Sequence, residues 1–494
     1  MAFVGLTVGA GFASGQEMMQ YFVAFGENGL WGVILASVVM IISGLAVLSL
    51  ASYFQADEHS EVFDEITKKW ISKILDIAVM VTLFCTGFVM FAGAGANLNQ
   101  QFGLDVWIGA TIMVALTLGV GMLDADKVSR VIGMITPFII VFLLGAGIYT
   151  LVTNDTSMAE AAQYTTELPT TLPHWSISAL NYVGFCVMVA VSMSIVIGGS
   201  YLNPREAGIG GLMGGTIYGG LLTLVTFALF FKVETVGHED MPTLAIVDDI
   251  HPVLGTIMAI IIYGMIFNTA IGMFYALGRR LTRNTPHRFR LVFIVTVLIG
   301  FGLSFFGFKS LVGSIYPALG YFGIALIAVL CGAYLLGRNK LVEESKRRGR
   351  IRKLARRKIH PDRKFTTADQ KKLDRAVADS NVSNVDLQES VRDEIVDELV
   401  SDDDVDFTEE DAERIVEKDN ERLEKLAEIE EEHEDDNPRV TAKDSFPGEA
   451  TATASDKLAS QTKSAIKRVA GPMKPKPKQP KQSKQPKQKP SADK

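Results

Sequence analysis

The sequence predicts an all-α membrane protein of about ten transmembrane helices, followed by a water-soluble tail. Up to Gly337 the chain consists of long apolar runs separated by short polar gaps, and from Arg338 onward it is poor in apolar residues and rich in charges. An apolar run of about 20 residues is long enough to cross the hydrocarbon core as a helix. The overall composition, 48% hydrophobic with a formal net charge of −7, therefore describes neither part.

Ten apolar runs are candidates for such helices. We predict spans 1 to 10 at residues 1–25, 29–53, 73–97, 105–122, 130–152, 177–202, 207–231, 254–278, 291–308 and 311–337.

The distribution of Lys and Arg predicts the orientation of the spans, because cytoplasmic loops carry an excess of both residues. With a cytoplasmic N-terminus, the long outside connection 153–176 has no Lys or Arg, and the other outside loops contain only Lys232 and Lys309. We therefore predict a multi-pass protein of the cell membrane with both termini in the cytoplasm. The inside loops then hold Lys68, Lys69, Lys73, Lys127, Arg130, Arg205, Arg279, Arg280, Arg283, Arg288 and Arg290.

Three features indicate that the spans form two inverted halves of five helices each. The loops 54–72 and 232–253, which follow the second span of each half, are both long. Pro137 and Pro317 lie at similar positions in spans 5 and 10, although each is also explained as a kink that neighbouring helices accommodate. The connection 153–176 falls where the two halves would join.

Span 1 contains the clearest signal of a binding site. It has three glycines within seven residues, Gly9, Gly11 and Gly15, and each glycine weakens a helix by about 1 kcal/mol relative to alanine. Unwound backbone in a bilayer must be surrounded by protein or line a water-filled cavity. A break would release carbonyls for a cation and N–H groups for an anionic substrate group. The spacing of Gly5, Gly9 and Ala13 is also typical of a close-packing face, and both interpretations can hold. The predicted substrate-binding residues are Gly9, Ala10, Gly11, Phe12, Ala13, Ser14 and Gly15.

Glu17 is the clearest acidic residue inside a predicted span, and acids at such positions are costly and usually functional. We predict that it takes part in ion or proton coupling. The structural alternative is a capping box, Ser14-x-x-Glu17, at the start of a second half-helix. Because a charged Glu17 would repel a substrate carboxylate, the residue is protonated, binds a cation or an amine, or faces away from the site.

Partner positions are expected in spans 6 and 8. If the halves are inverted repeats, span 6 mirrors span 1, and we place a weaker break between Gly184 and Ser194, with Asn181 and Gly184 as substrate-binding residues. The alternative is that the serines of this span bond to carbonyls of their own helix. In span 8, Asn268 and Thr269 are predicted to give oxygen ligands to a coupling cation, with hydrogen bonding between helices as the alternative.

No pattern in the membrane part indicates a catalytic centre, a metal cluster or a phosphate loop, so we predict a non-enzyme without a cofactor, apart from a coupling Na⁺ or H⁺. The three cysteines lie inside apolar runs, where free cysteine packs as a small hydrophobe. The seven glycines of span 7, between residues 208 and 220, are typical of tight helix packing. The histidines lie in loops and are expected at the surface: His59, His174, His238, His251 and His287.

The stretch Thr7-Val8-Gly9-Ala10-Gly11-Phe12-Ala13-Ser14-Gly15-Gln16-Glu17 resembles the first-helix motif of the YkvI-type bacterial membrane proteins. Over residues 1–337 the chain is also similar to the amino acid–polyamine–organocation transporters, which have the LeuT-type fold of five plus five helices. The resemblance implies a substrate site between spans 1, 3, 6 and 8 and a small amino acid or related amine as substrate. The chain departs from the motif in its first half-helix, which rises only about 12 Å. We expect either an unusually short half-helix or a start upstream of Met1.

The tail divides into three predicted segments: basic 338–360, acidic and partly helical 361–437, and disordered, Lys/Pro/Gln-rich 438–494. The dense Lys and Arg of 338–358, directly after a span, predict contact with anionic lipid headgroups rather than with nucleic acid. The acidic segment is able to fold back onto this basic cluster. The Pro-Lys-Gln repeats at the end lack the apolar residues that a core requires.

Together these features predict a secondary active transporter for a small amino acid or related amine, which works by alternating access and is coupled to Na⁺ or H⁺. The alternative is a membrane anchor or signalling scaffold that acts through its charged tail.

Overall fold

A computed structural model describes residues 2–122, 136–283, 285–361, 363–382, 384–401, 405 and 407–432, and the regular structure in these ranges is entirely helical. Residues 130–135 of predicted span 5 and the predicted disordered segment 438–494 lie outside the described residues.

The helices are α1 (Ala2–Thr7), α2 (Ala10–Ser14), α3 (Gln16–Tyr21), α4 (Glu27–Phe54), α5 (His59–Ile66), α6 (Lys69–Phe102), α7 (Val106–Gly121), α8 (Thr136–Val152), α9 (Met158–Thr165), α10 (Trp175–Gly199), α11 (Pro204–Phe231), α12 (Val233–Val236), α13 (Pro242–Ile250), α14 (Pro252–Leu281), α15 (Phe289–Leu303), α16 (Phe308–Ile359), α17 (Thr367–Ala378), α18 (Asn384–Val400) and α19 (Glu409–Glu432). Single 3₁₀ turns follow α3, precede α15 and follow α15.

Within the described ranges, seven helices are long and apolar enough to cross a membrane: α4, α6, α10, α11, α14, α15 with its flanking turns, and α16. The helices α7 and α8 are apolar but shorter, and predicted span 1 corresponds to the pieces α1 to α3. The chain is therefore a membrane protein. Every predicted span overlaps helical residues, while the count of ten crossings stays a prediction.

The outward faces of these helices are apolar, as lipid contact requires. On α4 the residues Val33, Ala36 and Met40 are fully buried. A helix of a soluble protein would carry polar residues on its other face. The exposed positions of α4 are instead Trp31, Ile34, Val38 and Ile42.

The packing of the helices follows the predicted repeat of five. Counterpart helices of the two halves pack on each other, namely α4 on α11 and α6 on α14. The contact of α8 with α11 has its counterpart in that of α16 with α4, and the contact of α8 with α14 has its counterpart in that of α16 with α6. Because each of these contacts recurs after a shift of five predicted spans, the two halves share one packing arrangement.

Glycines on one face of α11 let it approach α4 closely, as predicted for span 7. A Cβ atom added to Gly211 would lie 2.2 Å from the carbonyl oxygen of Gly44, and one added to Gly215 would lie 2.7 Å from the Cα atom of Ile41. Gly210 and Gly220 have no atom within 4 Å of such a Cβ. The close contact therefore belongs to the face that turns toward α4.

The helix α16 extends far beyond the predicted end of span 10 at residue 337, so the basic segment 338–360 is not a separate element but the continuation of this helix as far as Ile359. The acidic segment forms α17 to α19. Helices α17 and α18 pack on the extension and α19 packs on α18, around an apolar cluster that includes Ile351, Val391 and Ile395. The expectation that the acidic segment folds back onto the basic cluster is confirmed, because Arg352 pairs with Glu394 and Glu398.

We expect Gly211→Leu to lower the midpoint of thermal unfolding in detergent, because the new side chain must separate α11 from α4. Overpacking of this kind costs about 1–3 kcal/mol. The matched variant Gly210→Leu, one residue away on the open face, should unfold at or above the temperature of the parent protein. Equal destabilisation by both substitutions would contradict the close contact.

Candidate functional site

The first membrane helix is interrupted, as the sequence predicts. It stops at Thr7, resumes at Ala10, and turns again at Gly15, whose φ of +82° is left-handed. A residue other than glycine is strained in that conformation. The interruption therefore consists of two separate steps, and the second requires its glycine.

The first step diverts two backbone donors from the α1 helix. The N–H of Gly9 donates to the carbonyl of Thr7 at 3.1 Å, and the N–H of Ala10 donates to the hydroxyl of Thr269 at 3.3 Å. In a continuous helix these groups would serve the carbonyls of Gly5 and Leu6. The C-terminal end of α1 thus presents carbonyls without their helical donors beside α14.

Thr269 and Asn268 lie on α14, the helix predicted as span 8. The Thr269 hydroxyl joins α14 to the interruption, since a Cβ added to Gly9 would also lie 3.8 Å from it. Asn268 is buried, and among the described residues its Oδ1 has no hydrogen-bond partner. The structure therefore brings Thr269 to the interruption, while the proposed cation ligands remain a prediction.

The second step places Glu17 in the interior of the protein. Its carboxyl group folds back over α2, because a Cβ added to Gly11 would lie only 1.8 Å from Oε1 of Glu17. Glu17 is 5% exposed. Gly11 has a role that the sequence alone does not reveal: its missing side chain makes room for the buried carboxyl group of Glu17, which a larger residue would displace.

The predicted capping box between Ser14 and Glu17 is not formed. Gly15 occupies the N-cap position of α3, without a side-chain cap. The Ser14 hydroxyl donates to the carbonyl of Gly11 at 2.8 Å and accepts from the N–H of Gln16 at 3.2 Å. Because the glycine turn shifts the helix start by one residue, Glu17 is free to enter the interior instead of capping.

Glu17 lies in a cluster of hydroxyl and thiol groups from α10 and α11. Its carboxyl group interacts with the side chain of Tyr182. The Tyr182 hydroxyl is 2.7 Å from that of Tyr218, and the Cys186 thiol is 3.4 Å from the same Tyr218 hydroxyl. The ring of Phe12 packs on Tyr218 at 5.2 Å between centroids. We call Glu17, Tyr182, Cys186 and Tyr218 the Glu17 cluster. The sequence did not indicate the two tyrosines as site residues, because a tyrosine in an apolar run gives no distinct signal.

Asn181 of α10 bonds to α16 at the proline inside that helix. Pro317 has no N–H, so the carbonyl of Gly313 loses its helical donor. Gly313 accepts instead from Gln20 at 3.4 Å and from Thr171 at 3.0 Å, and Asn181 donates to the carbonyl of Pro317 at 2.9 Å. The proline thus supplies carbonyls that tie α3 and α10 to α16. The assignment of Asn181 to a substrate site stays a prediction.

The predicted break in span 6 is wrong, because α10 is continuous from Trp175 to Gly199. Gly184 instead allows close contact with α16: an added Cβ would lie 2.5 Å from the carbonyl oxygen of Gly320. One glycine weakens a helix by only about 1 kcal/mol, and packing on both sides offsets that loss. Its predicted contact with substrate is untested.

A short helix closes one end of the interruption. The hydroxyl of Thr243 in α13 donates to the carbonyl of Ala13, and a Cβ on Gly15 would lie 2.7 Å from the Thr243 methyl group. Gln100 anchors the start of α13 to α6, since its side chain exchanges hydrogen bonds of 3.1 and 2.8 Å with the backbone of Met241. The helix α13 therefore covers α2 at this end.

A polar network joins four helices at the opposite end of predicted spans 3 and 8. His59 of α5 lies 3.0 Å from Asp76 of α6 and 3.1 Å from the Ser192 hydroxyl of α10. Arg280 of α14 bonds to Asp76 at 2.8 Å and to Glu58 at 2.7 Å. The expectation of a surface His59 is wrong, because the folding of α5 onto this network leaves it 6% exposed. Asp76, an acidic residue within predicted span 3, was the sequence feature that could have indicated this network.

No protein-family model matches the chain. Over 336 residues it is 26% identical to the uncharacterized membrane protein YkvI of Bacillus subtilis (strain 168), which covers 67% of this chain and 93% of YkvI. Over 329 residues it is 25% identical to the uncharacterized protein YyaD of the same organism, covering 66% of this chain and 93% of YyaD. The resemblance to the YkvI-type proteins is thereby confirmed.

Two solved transporter structures are similar in shape. MhsT in complex with L-phenylalanine has a TM-score of 0.50 at 15% identity, covering 80% of this chain and 94% of MhsT. The inward-facing conformation of Mhp1 has a TM-score of 0.46 at 15% identity, covering 68% of this chain and 74% of Mhp1. The likeness to MhsT shows that the chain has the LeuT-type fold.

We expect Gly11→Ala to destabilise the protein, because the added methyl group displaces the carboxyl group of Glu17. The cost is about 1–3 kcal/mol, measured as a lower midpoint of thermal unfolding. The matched variant Gly9→Ala should be neutral, since its nearest neighbour is 3.8 Å away. In a Glu17→Ala background the effect of Gly11→Ala should disappear. The same loss in both backgrounds would contradict this contact.

Proposed function

We propose that this chain is a secondary active transporter that moves a small amino acid or related amine by alternating access, coupled to Na⁺ or H⁺. The observation that carries the proposal is the interruption of the first membrane helix beside Thr269. Lipid offers no hydrogen-bond partners, so irregular backbone inside a membrane is tolerated only where it is buried in protein or lines a water-filled cavity. Interrupted helices of this kind form substrate and ion sites in many secondary transporters.

The end of α1 is the proposed site of a coupling cation. The carbonyls of Gly5 and Leu6 lose their helical donors, and the hydroxyl of Thr269 accepts one of those donors, the N–H of Ala10. Carbonyl and hydroxyl oxygens are the ligands that hard cations prefer. The Oδ1 of Asn268, which has no hydrogen-bond partner in the part of the chain that the structure describes, is a further oxygen on the same helix.

Glu17 is the proposed carrier of a proton, or the counter-charge of a substrate amine. A carboxylate surrounded by hydroxyl, thiol and aromatic groups is costly unless a proton or a cation offsets its charge. Such a group binds and releases a proton as its surroundings open and close. The Glu17 cluster is therefore a place where a change of conformation would change the protonation of a buried carboxyl group.

Alternating access requires closures at both ends that open in turn. Under the predicted orientation, α13 with Thr243 closes the outer end, and the network of His59, Asp76 and Arg280 closes the cytoplasmic end. Both closures are attached to α6, through Gln100 at one end and Asp76 at the other, but their bonds are separate, so one is able to open while the other stays bonded.

The substrate class is supported by the chemistry of the site and by the shared fold. Glu17 suits an amine, and MhsT, which has the same fold, was solved in complex with L-phenylalanine. The alternative of a scaffold that acts through its tail is less well supported, because Arg352 of α16 and Glu394 and Glu398 of α18, charged groups that a partner would bind, are paired with one another.

A thermal-unfolding screen of the purified protein against amino acids and amines, with and without Na⁺ and at two pH values, tests the proposal. A substrate at 100 times its dissociation constant stabilises the folded state by about 2.7 kcal/mol, which raises the unfolding midpoint by a few degrees. Counterflow of that substrate in proteoliposomes should follow. A complete panel without any stabilising ligand would contradict this substrate class.

The identity of the coupling ion follows from two substitutions. If Na⁺ is coupled, Thr269→Ala should abolish the stabilisation by Na⁺, while Thr269→Ser, which keeps the hydroxyl, should retain it. If H⁺ is coupled, Glu17→Gln should abolish uptake driven by a pH gradient and leave counterflow intact. Unchanged gradient-driven uptake in both Thr269→Ala and Glu17→Gln would contradict both coupling sites.

A further inference from the structure

The extension of α16 and the helices that pack on it hold the ends of three other membrane segments. We infer that the extension of α16 beyond residue 337, together with α17, α18 and the residues Ser380 and Asn381 between them, forms an autoinhibitory clamp, which fastens the end of α4 and the α10–α11 connection to α16 and restrains opening of the transporter on that side. The inference rests on the proposed transport function for its meaning. The contacts that carry it involve neither the interruption of the first membrane helix nor the Glu17 cluster.

Arg348 is the centre of the clamp. Its guanidinium group is fully buried and donates to the carbonyls of Ser52 and Tyr53, both at 2.7 Å, and of Leu202 at 2.9 Å. It also forms an ion pair of 2.8 Å with Glu344 on the same helix. The last carbonyls of a helix lack partners, and five N–H donors of one cation satisfy several of them at once.

The tail completes the clamp through the connection between α17 and α18. The amide of Asn381 donates to the carbonyl of Tyr53 at 2.8 Å and accepts from Arg348 at 2.9 Å. The hydroxyl of Ser380 donates to Glu344. Both members of the buried Arg348–Glu344 pair are thus bonded by the tail, so the tail and α4 share one set of hydrogen bonds.

Ionic and apolar contacts hold the tail in this position. Arg352 pairs with Glu394 at 2.9 Å and with Glu398 at 3.1 Å, and Arg356 pairs with Glu398 at 3.1 Å. Leu202, from the α10–α11 connection, is buried in the apolar cluster of the tail helices. The acidic helix α18 therefore pairs with Arg352 and Arg356, two arginines that the sequence predicts to contact anionic lipid headgroups.

Movement of α4 or of the α10–α11 connection away from α16 must break the bonds of Arg348. A buried charge that loses its partners is strongly destabilising, so these segments stay together while the tail is docked. Alternating access moves groups of helices relative to one another. Release of α18 and of Asn381 removes one acceptor of Arg348 and the bond from Asn381 to the carbonyl of Tyr53, so it eases the movement that the docked tail slows.

The native Cys186 reports this movement without any substrate. It is 5% exposed in the Glu17 cluster, and in a Cys85→Ser, Cys331→Ser background it is the single thiol. We would measure the rate of its alkylation by N-ethylmaleimide in the full chain, reconstituted in liposomes. Glu398→Lys and Asn381→Ala each remove bonds to an arginine, and each should raise the rate about tenfold.

Asp397→Lys is the matched control, because it makes the same charge change on the exposed side of α18. It should leave the alkylation rate unchanged. Equal rates for Glu398→Lys and Asp397→Lys, together with an unchanged or slower rate for Asn381→Ala, would overturn the clamp. If Glu398→Lys unfolds at a much lower temperature than its control, Asn381→Ala alone decides the question.

The experiments distinguish a failure of the clamp from a failure of the proposed transport function. Absence of counterflow, combined with faster alkylation in the released variants, would leave the clamp in place and remove the transport assignment. Normal counterflow with equal alkylation rates would leave transport and remove the clamp.

Discussion

Backbone N–H and C=O groups that leave a helix inside a membrane need other partners, because lipid supplies none. In this protein that constraint organises the first membrane helix and everything that surrounds it. The N–H of Ala10 bonds to Thr269 of α14, and the carbonyl of Ala13 accepts from Thr243 of α13. The interruption thus ties α13 and α14 to the first membrane helix, and it leaves the carbonyls of Gly5 and Leu6 without their helical donors.

The same requirement recurs wherever a membrane helix is disturbed or ends. Pro317 frees the Gly313 carbonyl, and Gln20 and Thr171 bond to it. The last carbonyls of α4 are bonded by Arg348. In each case a polar side chain from a distant part of the chain satisfies the released backbone, so the places where helices are irregular are also the places where separate elements are joined. Movements of the protein must exchange these bonds.

Much of the fold was predictable, and the site was predictable in part. Apolar length predicted the seven described helices that are long enough to cross a membrane, and three glycines within seven residues indicated the interruption, since both are local properties of the chain. The break in span 6 was wrong because a single glycine, Gly184, serves helix contact there. The surface position expected for His59 was also wrong, since its burial depends on Asp76 and Ser192 from other helices.

The sequence by itself determined the membrane location, the helical class and the weakness of the first helix, because these depend on hydrophobicity and backbone propensity over short stretches. Only the tertiary structure decided that Glu17 points into the interior over Gly11, that Tyr182 and Tyr218 surround it, and that Arg348 joins the tail to α4. Those arrangements depend on which helices pack together and in what register. Side chains far apart in sequence then satisfy one another, and no local pattern encodes that pairing.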